Sequence, residues 1–433
     1  MPRLRTILAA GVAGVALIAL YPLGRSLARD SDLQDFAQIE RGRKLATSAD
    51  CVACHTRNDG GKPFAGGRPI ETPFGTIVSP NITPDAETGI GRWSDAEFDN
   101  AVRHGVRRDG ARLYPAMPYA YYTKMSRDDV KAIRAYLATV APVRNAVEPN
   151  QLPFPFSIRW SMHAWDWLFF TPGEFKPDPA KSAAWNRGAF LVTGPGHCGA
   201  CHTPKNFLGA DKTSSALQGS PVQGWFAPNI TGDKTRGVGA MSVEEIVALL
   251  KTGHNSVTSV AGPMGEEVAD SSSHFSDDDL KSIATYLQTV PGGGDKPQAP
   301  VAQSDPQMQA GQAIYRDTCA ACHGLDGKGV PHLFPSLAKA PQAHAPDATS
   351  GIRVVLSGVR SVATDKEPSA PAMPSFGWQL NDAQVAAVLT YIRNSWGGAA
   401  PAVSAGDVGK QRTDLANRDS QGARISATQG DRK

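Results

Sequence analysis

Six cysteines occur in the sequence, and all of them fall in three copies of one pattern: Cys51-Val-Ala-Cys54-His55, Cys198-Gly-Ala-Cys201-His202 and Cys319-Ala-Ala-Cys322-His323. Two thiols three residues apart can each add to one vinyl group of the same porphyrin. The next residue then sets its imidazole beneath the iron as the proximal ligand. Cys-x-x-Cys-His is therefore read as covalent haem attachment, and three copies predict three covalently bound haem c groups. The competing readings fit less well. A zinc site needs further ligands at fixed spacing, and no second Cys or His pair accompanies any copy. A thiol redox pair does not call for a following His, three times over.

The iron's other axial ligand is sought between each motif and the end of its repeat. Met117 in Pro115-Ala-Met-Pro118, Met264 in Gly262-Pro-Met-Gly265 and Met373 in Pro371-Ala-Met-Pro374 stand out from the eight methionines. Met117 and Met264 each lie 62 residues after their histidine, and Met373 lies 50 after His323. Flanking Pro and Gly predict extended loops that a helix cannot claim. The predicted metal ligands are thus His55, Met117, His202, Met264, His323 and Met373. His104, His254 and His197 are the alternatives, as iron ligands or propionate partners, and are otherwise read as partly exposed histidines. With imidazole and thioether both bound, the iron has no open position for peroxide or oxygen and is left to exchange electrons.

The elements that must hold these groups repeat as well. The motifs begin 147 and 121 residues apart, each preceded by a helical stretch with a glycine, Gly42, Gly188 or Gly311. Each repeat closes on an amphipathic helix: Ser126–Val140, Ser276–Val290 and Asn381–Trp396. These open on capping pairs Ser126/Asp129, Ser276/Asp279 and Asn381/Gln384. Their stripes are Val130, Ile133, Leu137; Leu280, Ile283, Leu287; and Val385, Val388, Ile392. Tyr136, Tyr286 and Tyr391 share one position and are read as core. Glycine lets the first helix of a repeat approach the last. Repeats one and two also share Pro-Asn-Ile-Thr at 80–83 and 228–231 and the capping pairs Ser94/Glu97 and Ser242/Glu245. The Asn-Ile-Thr triplets match a glycosylation sequon by coincidence.

The bulk composition agrees with this reading. The chain carries 43 Gly and 33 Pro, is 41% hydrophobic and has a formal charge of +3 with no Lys/Arg block. Nucleic acid is excluded as a partner. Small, apolar-poor repeats suit cores that a porphyrin helps to fill. Residues 1–30 hold Arg3 and Arg5, an uncharged run Thr6–Gly24 and Arg25. This is a signal peptide or a membrane anchor, and either one exports the body. Domains are expected at 36–144, 181–292 and 305–398. An aromatic-rich linker (145–180), with Phe154, Phe156, Trp160, Trp165, Trp167, Phe169 and Phe170, joins the first two, as a strap across both domains or a docking surface. A Gly/Pro-rich linker (293–304) joins the last two, and the tail at 399–433 is polar with little periodicity. No nucleotide-binding or hydrolase motif is present.

With these residues in view, the chain resembles the triple-haem cytochrome c subunits of membrane-bound bacterial dehydrogenases. Those of the pyrroloquinoline-quinone alcohol dehydrogenases are nearest, with gluconate, sorbitol, fructose and aldehyde dehydrogenase subunits alike. The resemblance spans roughly 38–400. It rests on Gly-Lys-Pro-Phe-Ala-Gly-Gly (61–67), Thr72-Pro-Phe-Gly-Thr76, Ser79-Pro-Asn-Ile-Thr83, Leu113-Tyr-Pro-Ala-Met-Pro118 and Ala372-Met-Pro-Ser-Phe376. It implies an all-α, loop-rich fold of three tandem class I cytochrome c domains, each built around one haem c. It implies Met117, Met264 and Met373 as axial ligands. It also implies electron flow from a large periplasmic dehydrogenase subunit (pyrroloquinoline quinone, flavin or molybdenum type) to ubiquinone, on the periplasmic face of the inner membrane, with no substrate-oxidising site in this chain. The alternative function is a free-standing cytochrome shuttling electrons to a terminal oxidase.

Overall fold

The computed structural model describes residues 36–293 and 299–430, with side chains to Arg418. The uncharged N-terminal run and the centre of the Gly/Pro-rich linker lie outside these residues. Among the described residues no helix is long and apolar enough to cross a membrane.

The chain is helix-rich with little sheet. The first repeat holds α1 (Phe36–Ser48), α2 (Cys51–His55), the hairpin β1 (Pro69–Thr72)/β2 (Gly75–Val78), α3 (Asp95–His104), α4 (Tyr119–Tyr122) and α5 (Arg127–Leu137). Helix α6 (Ser161–Phe169) lies in the aromatic linker. The second repeat holds α7 (Ala183–Thr193), α8 (Gly199–His202), β3 (Ser220–Val222)/β4 (Trp225–Ala227), α9 (Val243–Thr252), α10 (Pro263–Asp270) and α11 (Asp277–Leu287). The third holds α12 (Pro306–Ile314), α13 (Ala320–His323), α14 (Thr349–Ser357), β5 (Val359–Arg360)/β6 (Ala372–Met373) and α15 (Asp382–Arg393), followed by α16 (Ala405–Gly430). The all-α expectation misses the three two-stranded antiparallel ladders. They are too short to show an alternating pattern, yet each places a residue of the site.

Each repeat is closed by its first and last long helices. A Cβ on Gly42 would fall 1.8 Å from the Ala132 carbonyl oxygen of α5; one on Gly188 would fall 1.9 Å from Ser282 O, and one on Gly311 2.1 Å from Ala387 O. The absent side chain lets the helices cross backbone to backbone. Arg41 and Arg187, each just before its glycine, reach across the crossing to Asp129 (2.6 Å) and Asp279 (2.7 Å). Ser126/Asp129 and Asn381/Gln384 form reciprocal capping boxes. Ser276 caps only one way, because the Asp279 carboxylate is taken by Arg187. The three apolar stripes are buried as expected. Tyr136, Tyr286 and Tyr391 pack edge-on or tilted against Phe64, Trp185 and Tyr315.

The linkers are more fixed than their composition implies. The aromatic stretch straps the first repeat: Gln151 pairs with Thr76, and the Tyr119 hydroxyl donates to Asp166 at 2.7 Å. It reaches the second repeat through the Trp165 indole, which donates to Leu208 O at 3.0 Å. The tail, read as polar with little periodicity, folds as α16. Ser404 caps it, Val408 and Leu415 enter the third core, and Arg412 donates to Asp382, Gly377 and Leu380. Two apolar residues seven apart are too sparse a stripe to announce this helix.

Candidate functional site

The three histidines of the motifs are buried, and each is oriented by a proline carbonyl. His55 Nδ1 lies 2.7 Å from Pro80 O, His202 Nδ1 2.7 Å from Pro228 O and His323 Nδ1 3.1 Å from Pro335 O. A carbonyl can only accept, so Nδ1 carries the proton and Nε2 is left bare, the tautomer an iron ligand requires. Burial also holds all three imidazoles below their ordinary pKa, which keeps them neutral. The hairpins explain how the prolines arrive. Strand β2 ends two residues before Pro80, and β4 ends directly before Pro228. The histidine carbonyls accept in turn from Gly66, Gly219 and Gly329.

The next residues repeat as well. Asn81 and Asn229 accept from the backbone N–H and hydroxyl of Thr83 and Thr231. The Asn81 amide nitrogen is buried against Thr88 Oγ1 and Val143 O, so the apparent sequon is a turn lock. The proline partners were missed from sequence because a backbone acceptor leaves no side-chain signature. The Pro80/Pro228 match was their one trace.

The cysteine pairs sit at the mouths of the same sites, all six free. Burial pushes the Cys51 and Cys198 thiols up to about 12 and Cys319 up to about 11. No group of three or more His, Cys, Asp or Glu able to hold a metal occurs among the described residues. In repeats one and two a left-handed residue, Asp50 or His197, turns the chain into the motif. In repeat three a π-helical turn over Tyr315–Cys319 does so.

A cavity of about 590 Å³ joins repeats two and three, and its wall includes Cys201, His202, Met264, Cys322, His323 and Met373. Met373 is extended on β6, opposite Val359. Met117 lies in a turn packed on the first repeat's core. Met264 departs from the extended loop expected of it: it stands in the first turn of α10. Pro263 is the first residue of that helix, where its missing N–H costs nothing. Gly262, at φ 59°, starts the turn, and a Cβ there would meet the Trp225 ring at 2.6 Å.

Two polar side chains lie on the cavity wall. His254 is buried with Nδ1 unpartnered. Arg393 is buried with only backbone carbonyls at 3.3–3.4 Å, and burial pulls it down to about 10. Apolar walls, paired thiols, bare imidazole nitrogens, the Arg393 guanidinium and the His254 ring, which burial holds below its ordinary pKa, fit a porphyrin with its propionates. His254 is thus not the partly exposed residue the sequence suggested, because its helix end is covered by repeat three. His104 and His197 are half-buried.

The seam between repeats one and two brings two motifs together. Arg68 donates to Ala53 O, inside the first motif, and to Glu266, on the helix of Met264, both at 2.6 Å. Tyr122 donates to Ala49 O at 2.5 Å and stacks edge-on to His197. Asp50 and Glu267 are enclosed with Asp270, Glu266 and Arg68. Burial, then the neighbouring Glu267 and Asp270 carboxylates, pushes Asp50 up to about 9, and burial pushes Glu267 up to about 7. The folded chain therefore keeps protons that the unfolded chain releases near pH ~4. This stabilising contribution is complete below pH ~4, falls as pH rises above that, and is gone by about 7 for Glu267 and about 9 for Asp50. Asp50→Asn with Glu267→Gln should flatten the fall in thermal midpoint over that window. An unchanged slope would show that both groups titrate normally.

The fold and the repeated histidine site define a c-type cytochrome. The cytochrome c family profile matches residues 39–141 and 308–396. The chain is 42% identical over 421 residues to the gluconate 2-dehydrogenase cytochrome c subunit of Pantoea cypripedii, covering 92% of this chain and 95% of that one. It is 39% identical to the cytochrome c subunit of the quinone alcohol dehydrogenase of Gluconobacter oxydans (strain 621H), covering 96% and 90%. It is 38% identical to the fructose dehydrogenase cytochrome subunit of Gluconobacter japonicus, covering 86% and 82%. The chain belongs to the cytochrome c family, whose haem c is covalently bound. Its relatives are cytochrome subunits of dehydrogenase complexes, a class whose work is electron transfer.

Proposed function

We propose that this chain carries three covalent haem c groups in three tandem class I cytochrome c domains, and relays electrons from a dehydrogenase subunit to ubiquinone at the periplasmic face of the inner membrane. Cys51 and Cys54, Cys198 and Cys201, and Cys319 and Cys322 hold the porphyrins. His55, His202 and His323 ligate iron on one side, and Met117, Met264 and Met373 on the other. The haems supply the redox chemistry. The chain's own residues orient the imidazoles, exclude water and offer Arg393 and His254 to propionates.

The observation that carries this reading is the threefold recurrence of a Nδ1–proline carbonyl bond beside a free thiol pair. The partner is inferred from the relatives' names, and ubiquinone from the quinone named for the alcohol dehydrogenase. Purification from detergent-solubilised membranes tests it. Three haems per chain, covalently retained on a denaturing gel, should co-elute with a large dehydrogenase whose substrate reduces them. A lone cytochrome, unreduced by any such partner, would favour a free shuttle.

A further inference from the structure

Helix α6 is polar on the inside and apolar on the outside. Its one acid, Asp166, is 7% exposed, paired with Arg112 at 3.1 Å and bonded to the Tyr119 hydroxyl. The opposite face carries Trp167 and Leu168, with Trp160 two turns before Trp167; Trp160 is 76% and Trp167 84% exposed. That face bears no Asp, Glu, Lys or Arg: the residues beside them, His163 and Ala164, are also exposed. A helix resting on a water-facing domain shows the reverse distribution.

The patch continues beyond the helix. Phe154, Phe156 and Ile158 are exposed in the loop before it, and Phe207 and Leu208 are exposed in the second repeat. Trp165, bonded to Leu208 O, and Phe74, whose ring centroid lies 5.0 Å from that of Phe156, join these segments into one surface. Arg159 flanks it, held over the Tyr114 ring at 4.6 Å. Isolated exposed apolar residues need no explanation, but a contiguous aromatic surface marks contact with something apolar.

We infer that this surface rests in the interfacial layer of a lipid bilayer, with α6 lying in the membrane plane. Two features choose lipid over protein. The large outward side chains are Trp, Phe, Ile and Leu, with basic Arg159 at the edge, the composition favoured at headgroup depth. The sequence before Phe36 also contains the uncharged run Thr6–Gly24, read above as a signal peptide or a membrane anchor, and either one delivers the body across a bilayer. The inference rests on the membrane-face reading above and supplies the surface by which the body seats itself there.

Photo-crosslinking tests it. The full-length holoprotein is reconstituted in vesicles of phosphatidylcholine and phosphatidylglycerol that include a diazirine-bearing phosphatidylcholine, irradiated, and mapped by peptide mass spectrometry. Lipid adducts should appear on 154–168 and 207–208 as well as on the N-terminal run, and should persist at high salt because the contact is apolar. Trp160→Ser, Trp167→Ser and Leu168→Ser together should abolish the adducts at 154–168 while haem content and N-terminal adducts stay unchanged. Adducts confined to the N-terminal run in wild-type protein overturn the inference. So does a patch that crosslinks instead to the dehydrogenase or to a second copy of this chain. The wild-type map does not depend on the variant folding. Missing patch adducts in a preparation that retains three haems and its dehydrogenase partner sink the docking surface alone. Loss of that partner with patch adducts intact sinks only the functional reading.

Discussion

Alanine at Gly42, Gly188 or Gly311 destabilises the repeat that carries it. At an open helical position the same change would gain about 1 kcal/mol of helix propensity. Here the new methyl carbon would fall 1.8–2.1 Å from a backbone carbonyl oxygen of the crossing helix. No flexible side chain stands in the way to yield, so the helices must separate. Overpacking commonly costs about 1–3 kcal/mol, and a backbone-to-backbone collision belongs at the top of that range. The crossing also holds α1, α7 or α12 against the motif that follows, so the loss should show as covalent haem missing from one repeat and a lowered thermal midpoint. Gly406, near the start of α16, meets only Ser404 Oγ at 3.6 Å and supplies the control. Alanine there should leave stability unchanged or slightly raised. Equal midpoints for Gly188→Ala and Gly406→Ala would refute the close crossing.

The second large effect belongs to the methionines. On the ligand set proposed above, replacing Met117, Met264 or Met373 with alanine would leave the imidazole in place and remove the second axial ligand of one iron. Each variant should turn one haem in three high spin and lower its reduction potential, since a thioether favours the reduced iron. The covalent haem count should not change, because the thiols and histidine are untouched. Resonance Raman or electron paramagnetic resonance spectra report the spin state, and a redox titration reports the potential. Met125 and Met308 are fully buried core residues. Their conservative replacement by leucine should leave the spectra alone. Unaltered low-spin spectra in all three ligand variants would return the question to His104, His197 and His254.

What was legible beforehand follows from where the information resides. The thiols, histidines and crossing glycines are side-chain facts at short or repeated spacings, and a reader of the sequence meets them directly. The capping pairs announced α5, α11 and α15 at the N-caps observed, because a cap depends on residues three apart. The hidden parts rest on backbone atoms or on distant partners. The carbonyls of Pro80, Pro228 and Pro335 have no residue-type signature. Arg68 and Glu266 stand 198 residues apart. Proline beside Met264 suggested a loop, since its bar to helices is strongest in the interior and vanishes at the first position. Asp166 was passed over because a lone acid among tryptophans reads as the solvent face, whereas Arg112 and Tyr119 draw it inward.

The wall shared by Met264 and Met373 ties the biogenesis of two repeats together. On the proposed attachment sites, a tetrapyrrole at Cys198 and Cys201 would meet apolar side chains contributed by the third repeat, and one at Cys319 and Cys322 would meet some from the second. Loss of either leaves surface belonging to both uncovered, so the maturation machinery meets an apoprotein whose later attachment sites are shaped by the earlier ones.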